Sequence, residues 1–269
     1  MTAIGLIIIG DEILNGRRQD KHLSKAIELL TERGLTVSWV RYVGDDPDRI
    51  TADLRYALDS ADVVFSFGGI GATPDDHTRA CAARAVGEAL ALHPEAEALI
   101  LQRCRDMAEQ EGVPFDAASP DTLRRLDMGH FPTSAEIIPN PYNRIPGFSL
   151  RERVHFLPGF PVMAWPMMAW VLDQRHADLH GQHRTEERAV VVYGAIESRL
   201  TPLMQDIESR FAPVKVFSLP SVDHPVHGRH IELGVKGRGE LLTPAFAAML
   251  DGLTTLGASV GPETVRKIG

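Results

Sequence analysis

A chain of 269 residues exceeds the length of one average domain, so two domains are expected. Hydrophobic residues make up 44% and charged residues 24%, the balance of an ordinary globular protein. A net charge of -8 excludes the broad basic footprint that a nucleic acid or an anionic membrane requires, and two cysteines, Cys81 and Cys104, with no Cys-x-x-Cys spacing fit a reduced, cytoplasmic compartment.

The apolar run at residues 4–9 reads as a first strand, since it is far too short to span a bilayer and lacks a basic flank or cleavage site. Further strands are expected at 36–43, 63–67, 135–138 and 154–157, and helices at 21–33, 47–60, 76–87, 96–111 and 161–175. This alternation predicts an α/β fold over residues 1–176, a doubly wound, mostly parallel sheet. The polar stretch 177–187 reads as a linker. Beyond it, a strand at 188–193, a helix at 197–210, strands at 214–218 and 230–236 and a helix at 242–256 predict a smaller α+β domain over 188–262.

The run from Ala61 to Arg79 carries the main chemical signal. A buried strand ends at Gly68 and Gly69, where no Cβ blocks a positive φ or the approach of a phosphate to backbone N–H groups, and Gly71 repeats the permission. Thr73 and Pro74 read as a helix entry, with Asp75 and Asp76 in its first turn. One acid would suffice for capping, and two repel an anion unless a cation intervenes. The bland alternative is a tight strand-to-helix corner with a solvated acidic cap. No Gly-Lys-Ser/Thr follows, so the segment is not a Walker A loop.

Asp11 and Glu12 follow the first strand, Asp45 and Asp46 the second, and Asp75 and Asp76 the third. In a parallel sheet these loops share the carboxyl edge, so six carboxylates can converge on one crevice. Mg2+ shared with a pyrophosphate suits such a cluster, because it keeps few protein ligands and completes its shell with phosphate oxygens and water.

The segment Gly68-Gly69-Ile70-Gly71-Ala72-Thr73-Pro74-Asp75-Asp76-His77-Thr78 resembles the signature of the competence/damage-inducible protein A (CinA) family, whose first domain has the MoaB/Mog-like molybdopterin-binding fold. Gly10-Asp11-Glu12-Ile13-Leu14, Val43-Gly44-Asp45-Asp46-Pro47, Pro139-Asn140-Pro141 with Pro146-Gly147-Phe148, and Leu157-Pro158-Gly159-Phe160-Pro161 are similar to further motifs of that family in the same order. Val192-Tyr193-Gly194-Ala195-Ile196-Glu197-Ser198 resembles the opening of its second domain, and the deamidase module that many CinA proteins carry is not expected in these 269 residues.

The resemblance implies Asp76 as the catalytic residue, handling the metal or the attacking group. It implies a phosphate cradle of Gly68, Gly69, Gly71 and Thr73, with Thr78 capping the local turn, and a metal shell drawn from Asp11, Glu12, Asp75 and Asp76. Asp45 and the loops at Pro146-Gly147 and Pro158-Gly159 are expected beside the ligand, although Pro and Gly also serve turns for shape alone. The implied ligand is a small phosphorylated pterin or adenine nucleotide, with Mg2+ and K+ as candidate cofactors and molybdopterin as a candidate ligand. The implied reaction is cleavage of an ADP-ribose-like pyrophosphate, and a homo-oligomer is expected.

Three departures separate the chain from the family pattern: Met163 stands where an acid is usual, residues 124–129 replace a polar stretch, and residues 142–145 replace a Val-Gly-Thr-Ala run. They leave open a non-catalytic molybdopterin-binding protein, or an assembly module built on the Met-rich helix. Arg124, Arg125 and Arg144 are alternative grips for a phosphate or carboxylate. Two histidine groups, His176/His180/His183 and His224/His227/His230, have recurrent spacing, but Gly181 interrupts the first and Pro225 and Gly228 the second, so zinc is not expected at either.

Overall fold

The computed structural model describes residues 2–181 and 185–268, with the side chains of 267 and 268 outside the description. The chain divides into two compact units, one of residues 1–32 and 36–180, the other of residues 33–35 and 181–269. The stretch read as a linker holds a one-turn 3-10 helix, Ala177–Leu179, and the start of a strand at Thr185.

The first unit is built on a six-stranded sheet. Its strands are β1 (Ile4–Ile9), β2 (Trp39–Val43), β3 (Val63–Phe67), β6 (Glu136–Ile138), β7 (Gly147–Leu150) and β8 (Val154–Leu157), in the order β2-β1-β3-β8-β7-β6. β1 pairs in parallel with β2 and β3, and β3 with β8, whereas β7 runs antiparallel to both of its neighbours. β1, β3, β7 and β8 are buried at every residue, which requires cover on both faces of the sheet. The helices are α1 (Asp11–Leu14), α2 (His22–Glu32), α3 (Pro47–Asp59), α4 (Thr78–Val86), α5 (Pro94–Glu111), α6 (Pro120–Asp127) and α7 (Pro161–Arg175). α3 packs against α4 and α2 against α7. A short antiparallel pair, β4 (Leu90–Leu92) and β5 (His130–Pro132), brackets the excursion formed by α5 and α6.

Close packing fixes the register. Gly5 lies opposite Trp39, and a Cβ there would meet the indole ring at 2.1 Å. Phe131, Phe148 and Phe156 stack in series with ring centroids 4.6 and 4.3 Å apart, all fully buried. On the opposite face of these strands a polar chain is buried, in which Ser149 Oγ lies 2.8 Å from His155 Nδ1, and His155 Nε2 lies 2.8 Å from His176 Nε2. Burial holds the pKa of His155 well below its ordinary value and that of His176 below it as well. Two imidazoles sharing one proton in this way stay neutral.

The second unit is a four-stranded antiparallel sheet in the order β10-β11-β9-β12, formed by β9 (Thr185–Tyr193), β10 (Lys215–His224), β11 (Gly228–Gly237) and β12 (Ser259–Ile268). Helices α8 (Glu197–Arg210) and α9 (Leu242–Thr255) bury Leu200, Ile207, Phe246 and Met249 with the inward residues of the sheet. β12 extends past the expected end of the domain. Its Gly261-Pro262 step, which masks it as a strand in sequence, lies at a register shift between Val260 and Glu263 where the bulge tolerates both residues.

Candidate functional site

The carboxyl ends of β1, β2, β3 and β8 open on one crevice of about 580 Å³. Its floor is the glycine loop after β3. Gly68 (φ 101°) and Gly69 (φ 69°) adopt backbone angles that favour glycine, and added Cβ atoms would stand 2.4 Å from the Ile9 carbonyl oxygen and 2.2 Å from Thr78 Oγ1. Thr78 is fully buried at the start of α4; its Oγ1 donates to the Gly68 carbonyl at 3.0 Å and its N–H to the Gly69 carbonyl at 2.9 Å.

The helix after this loop begins at Thr78 rather than at 76, so Asp75 and Asp76 precede it. Asp76 is bound up in the loop itself. Its Oδ1 accepts from the Gly71 N–H (2.9 Å), and its Oδ2 accepts from the N–H (2.8 Å) and hydroxyl (2.5 Å) of Thr73. From the other side, the guanidinium of Arg79 donates to the Gly71 carbonyl at 2.6 Å and to the Asp127 carbonyl at the end of α6. The loop is thus clasped through both polar groups of Gly71. The N–H groups of Gly69, Ile70 and Ala72, residues that all line the crevice, find no acceptor among the described residues. Three unpaired amides on a clasped loop form a ready concavity for an anion.

Glu12, Asp45, Asp75 and Asp76 line the same crevice, and Asp11 does not. Asp11 and Asp45 are tied reciprocally: the Asp11 N–H donates to Asp45 Oδ2 (2.9 Å) and the Asp45 N–H to Asp11 Oδ1 (3.2 Å). Burial, with the nearby carboxylates of Asp11, Glu12 and Asp75, pushes the Asp45 pKa up, against the lowering by the Asp11 N–H. The Thr73 hydroxyl is the main group holding the exposed Asp75 carboxyl below its usual range. Asp46 belongs to the fold, capping α3 by accepting from the Asp48 and Arg49 N–H groups. Among the described residues no three metal-ligating side chains converge on one point. The donor set still suits Mg2+, which takes one or two carboxylates and fills its shell from phosphate and water.

Of the expected loop residues, Pro146, Pro158 and Gly159 line the crevice. Gly147 lies one step inside, buried at the start of β7, where a Cβ would stand 2.4 Å from the Phe156 carbonyl oxygen; glycine there serves strand packing. Arg144 pairs with Asp106 and Arg124 with Asp121, and neither these two nor Arg125 lines the crevice. The cation that does line it, Arg18, lies 3.9 Å from Glu12 and has no motif around it to mark it in sequence. Met128, Ile145, Phe160 and Met163 form an apolar end. Asn140, almost fully buried, holds the turn beside it through bonds to Asn143 Oδ1 (2.8 Å) and the Ile145 carbonyl (2.9 Å), and the Asn143 amide rests on Met163 Sδ at 3.3 Å. The Pro139-Asn140-Pro141 motif was the sequence signal for this turn.

The histidine groups lie elsewhere. His176 joins the buried chain, His180 Nε2 lies 3.0 Å from the Leu172 carbonyl, and His183 falls outside the described residues. His224, His227 and His230 gather at the β10-β11 turn with ring centroids 4.9 to 5.6 Å apart, and Tyr193 Oη lies 2.9 Å from His227 Nδ1.

A family model described as "Probable molybdopterin binding domain" matches residues 5–177. A CinA-like protein of Syntrophotalea carbinolica is 32% identical over 218 residues, which cover 77% of this chain and 50% of the relative. A protein of Caldivirga maquilingensis is 32% identical over 244 residues, covering 87% of this chain and 88% of its own. The chain spans about half the length of the CinA-like relative from Syntrophotalea. Among solved structures, the protein CinA with unknown function from Thermoplasma acidophilum is 30% identical with a TM-score of 0.53, covering 64% of this chain and 98% of that one. No described helix is long and apolar enough to cross a membrane.

Proposed function

Because the chain belongs to the CinA-like proteins, with the molybdopterin-binding domain model matched over residues 5–177, we propose that its crevice takes a small phosphorylated ligand, a pterin or an adenine nucleotide, and hydrolyses a pyrophosphate of the ADP-ribose class. The observation that carries this reading is the trio of unpaired amides at Gly69, Ile70 and Ala72 on the glycine loop. Phosphoryl oxygens satisfy them, and the charge that builds on those oxygens as water attacks strengthens the same bonds. Gly68, Gly69, Gly71 and Thr73 shape this cradle, while the heterocycle lies toward Ile145, Phe160 and Met163, flanked by Pro146 and Gly159.

Asp76 orients the attacking water. A carboxylate has about four lone-pair sites, and the loop uses one of those on Oδ1, leaving the other to accept a water proton. The water oxygen bonds to phosphorus, the bridging P–O bond breaks, and AMP leaves with the sugar phosphate. Mg2+, with K+ as a further candidate, would be held by one or two of the carboxylates of Glu12, Asp45 and Asp75, and would supply positive charge against the phosphates. Asp11 serves that shell through Asp45, whose backbone and side chain it binds.

Met163 favours a second reading, a non-catalytic molybdopterin-binding protein, because a thioether that accepts the Asn143 amide can neither bind a cation strongly nor move a proton. Incubation with ADP-ribose, FAD and ATP, with and without Mg2+ and K+, separates the two. AMP released only with metal, and lost in Asp76→Ala, supports the hydrolase; binding without release supports the second reading. The reading also includes a cytoplasmic homo-oligomer, and light scattering on the purified protein measures its mass.

A further inference from the structure

Behind the crevice floor lies a polar side chain that none of the foregoing uses. His22, the first residue of α2, is 6% exposed, and its ring stacks on Phe67 with centroids 4.6 Å apart. Asp20 sets its position: one carboxylate oxygen accepts the His22 N–H (2.8 Å), and the other accepts the Leu23 N–H (3.1 Å) and the Tyr42 hydroxyl (2.8 Å). His22 Nε2 stands 3.0 Å from the Gly159 carbonyl oxygen, and a carbonyl only accepts, so Nε2 carries the proton. Nδ1 is then a bare lone pair, and it is buried with no partner. Burial holds the imidazole pKa below its ordinary value, so the ring is neutral near pH 7.

A phenyl ring would stack on Phe67 as well and would leave no orphan nitrogen, a buried acceptor that loses its hydration without compensation. The Nε2–H bond is what histidine adds. Its acceptor belongs to the peptide joining Gly159 to Phe160, which is trans, so the Phe160 N–H points away from the carbonyl that His22 holds. Both residues line the crevice, and the Phe160 N–H finds no acceptor among the described residues. Phe160 is also the N-cap of α7 and makes no side-chain capping bond, and Pro161 after it has no N–H. Gly159 lies against Gly68, where a Cβ on Gly159 would stand 3.4 Å from the Gly68 Cα.

We propose that His22 is a positioning residue for the ligand: by holding the Gly159 carbonyl it turns the Phe160 N–H toward the phosphate and sets this second loop against the Gly69–Ala72 amides. This inference rests on the phosphorylated-ligand reading. It assigns the crevice the three amides of the glycine loop and, from the adjoining loop, the single Phe160 amide at the start of α7, a fit for the neighbouring phosphates of a pyrophosphate.

Two variants of the full chain test it by calorimetric titration with ADP-ribose and Mg2+. His22→Phe keeps the stack on Phe67 and removes the donor, whereas His22→Gln places an amide N–H at the reach of Nε2. His22→Phe is expected to bind about tenfold more weakly and His22→Gln within about threefold of the unsubstituted protein, the scale of one hydrogen bond. In 15N-labelled protein the Phe160 amide resonance shifts on addition of ADP-ribose, and that shift is lost in His22→Phe. Equal binding by His22→Phe, equal weakening of both variants, or a Phe160 resonance indifferent to ligand overturns the proposal while leaving the ligand reading in place. Failure of the unsubstituted protein to bind ADP-ribose removes the ligand reading and this inference together.

Discussion

In the first unit four strands run parallel, so the segments that leave β1, β2 and β3 share one edge and meet the loop after β8 there. In the second unit every neighbouring pair is antiparallel, so β11 ends at the edge opposite to the one where β9 and β10 end. The first arrangement gathers glycines and acids from loops far apart in sequence. The second scatters its polar groups, apart from three imidazoles at one hairpin. Strand direction therefore decides where chemistry accumulates, before any individual side chain is considered.

The contrast breaks most sharply at the cradle. Gly69→Ala places a methyl group 2.2 Å from Thr78 Oγ1 at a φ of 69°, and is expected to weaken ADP-ribose binding at least about 100-fold, or roughly 3 kcal/mol, in calorimetry. Asp76→Ala releases the Gly71 and Thr73 donors and is expected to cost about 2 kcal/mol of urea stability together with all AMP release.

A smaller effect belongs to the buried chain beneath the sheet. His155 and His176 both titrate below 6.5 in the folded protein, so the unfolded chain takes up protons that the fold refuses. Stability is full above about pH 6.5 and falls as the pH drops below it, by at most about 1.4 kcal/mol per pH unit for each proton. Urea midpoints from pH 7 down to 5 measure that slope, and His155→Met should flatten it. The smallest change sharpens the comparison from the other side. Tyr193→Phe in the second unit removes the contact with His227, should cost about 1 kcal/mol or less, and should leave ADP-ribose affinity unchanged.

The central strands and the longer helices were legible because their apolar runs exceed what a loop tolerates; the helix expected at 161–175 is found at those bounds. β4, β5 and β7 escaped although β6 and β8 are as short, because Pro132 in β5 and Gly147 in β7 read as turn residues until Leu90 and Phe156 are seen beside them. The glycine loop and the acids after each strand announced the crevice. The clasp on Gly71 did not show, because Asp76 reads in sequence as a first-turn acid free for a metal or the attacking group, and Arg79 meets the Asp127 carbonyl from 48 residues away. Arg18 and His22 were invisible for a simpler reason: each gains its meaning from a segment distant in the chain.

One element described above separates what is fixed in this protein from what is free to drift. The excursion bracketed by β4 and β5, carrying α5 and α6, reaches the crevice at Met128 alone. The next residue, Gly129, is pinned, since a Cβ there would press at 3.1 to 3.2 Å on Ile100, Leu92 and Ala96. The excursion is anchored to the unit by Ala96 in the core and by the Asp106–Arg144 pair, and it meets the crevice at one residue. A change of length or surface in the excursion therefore reaches the crevice through Met128 and leaves the glycine loop after β3 in place.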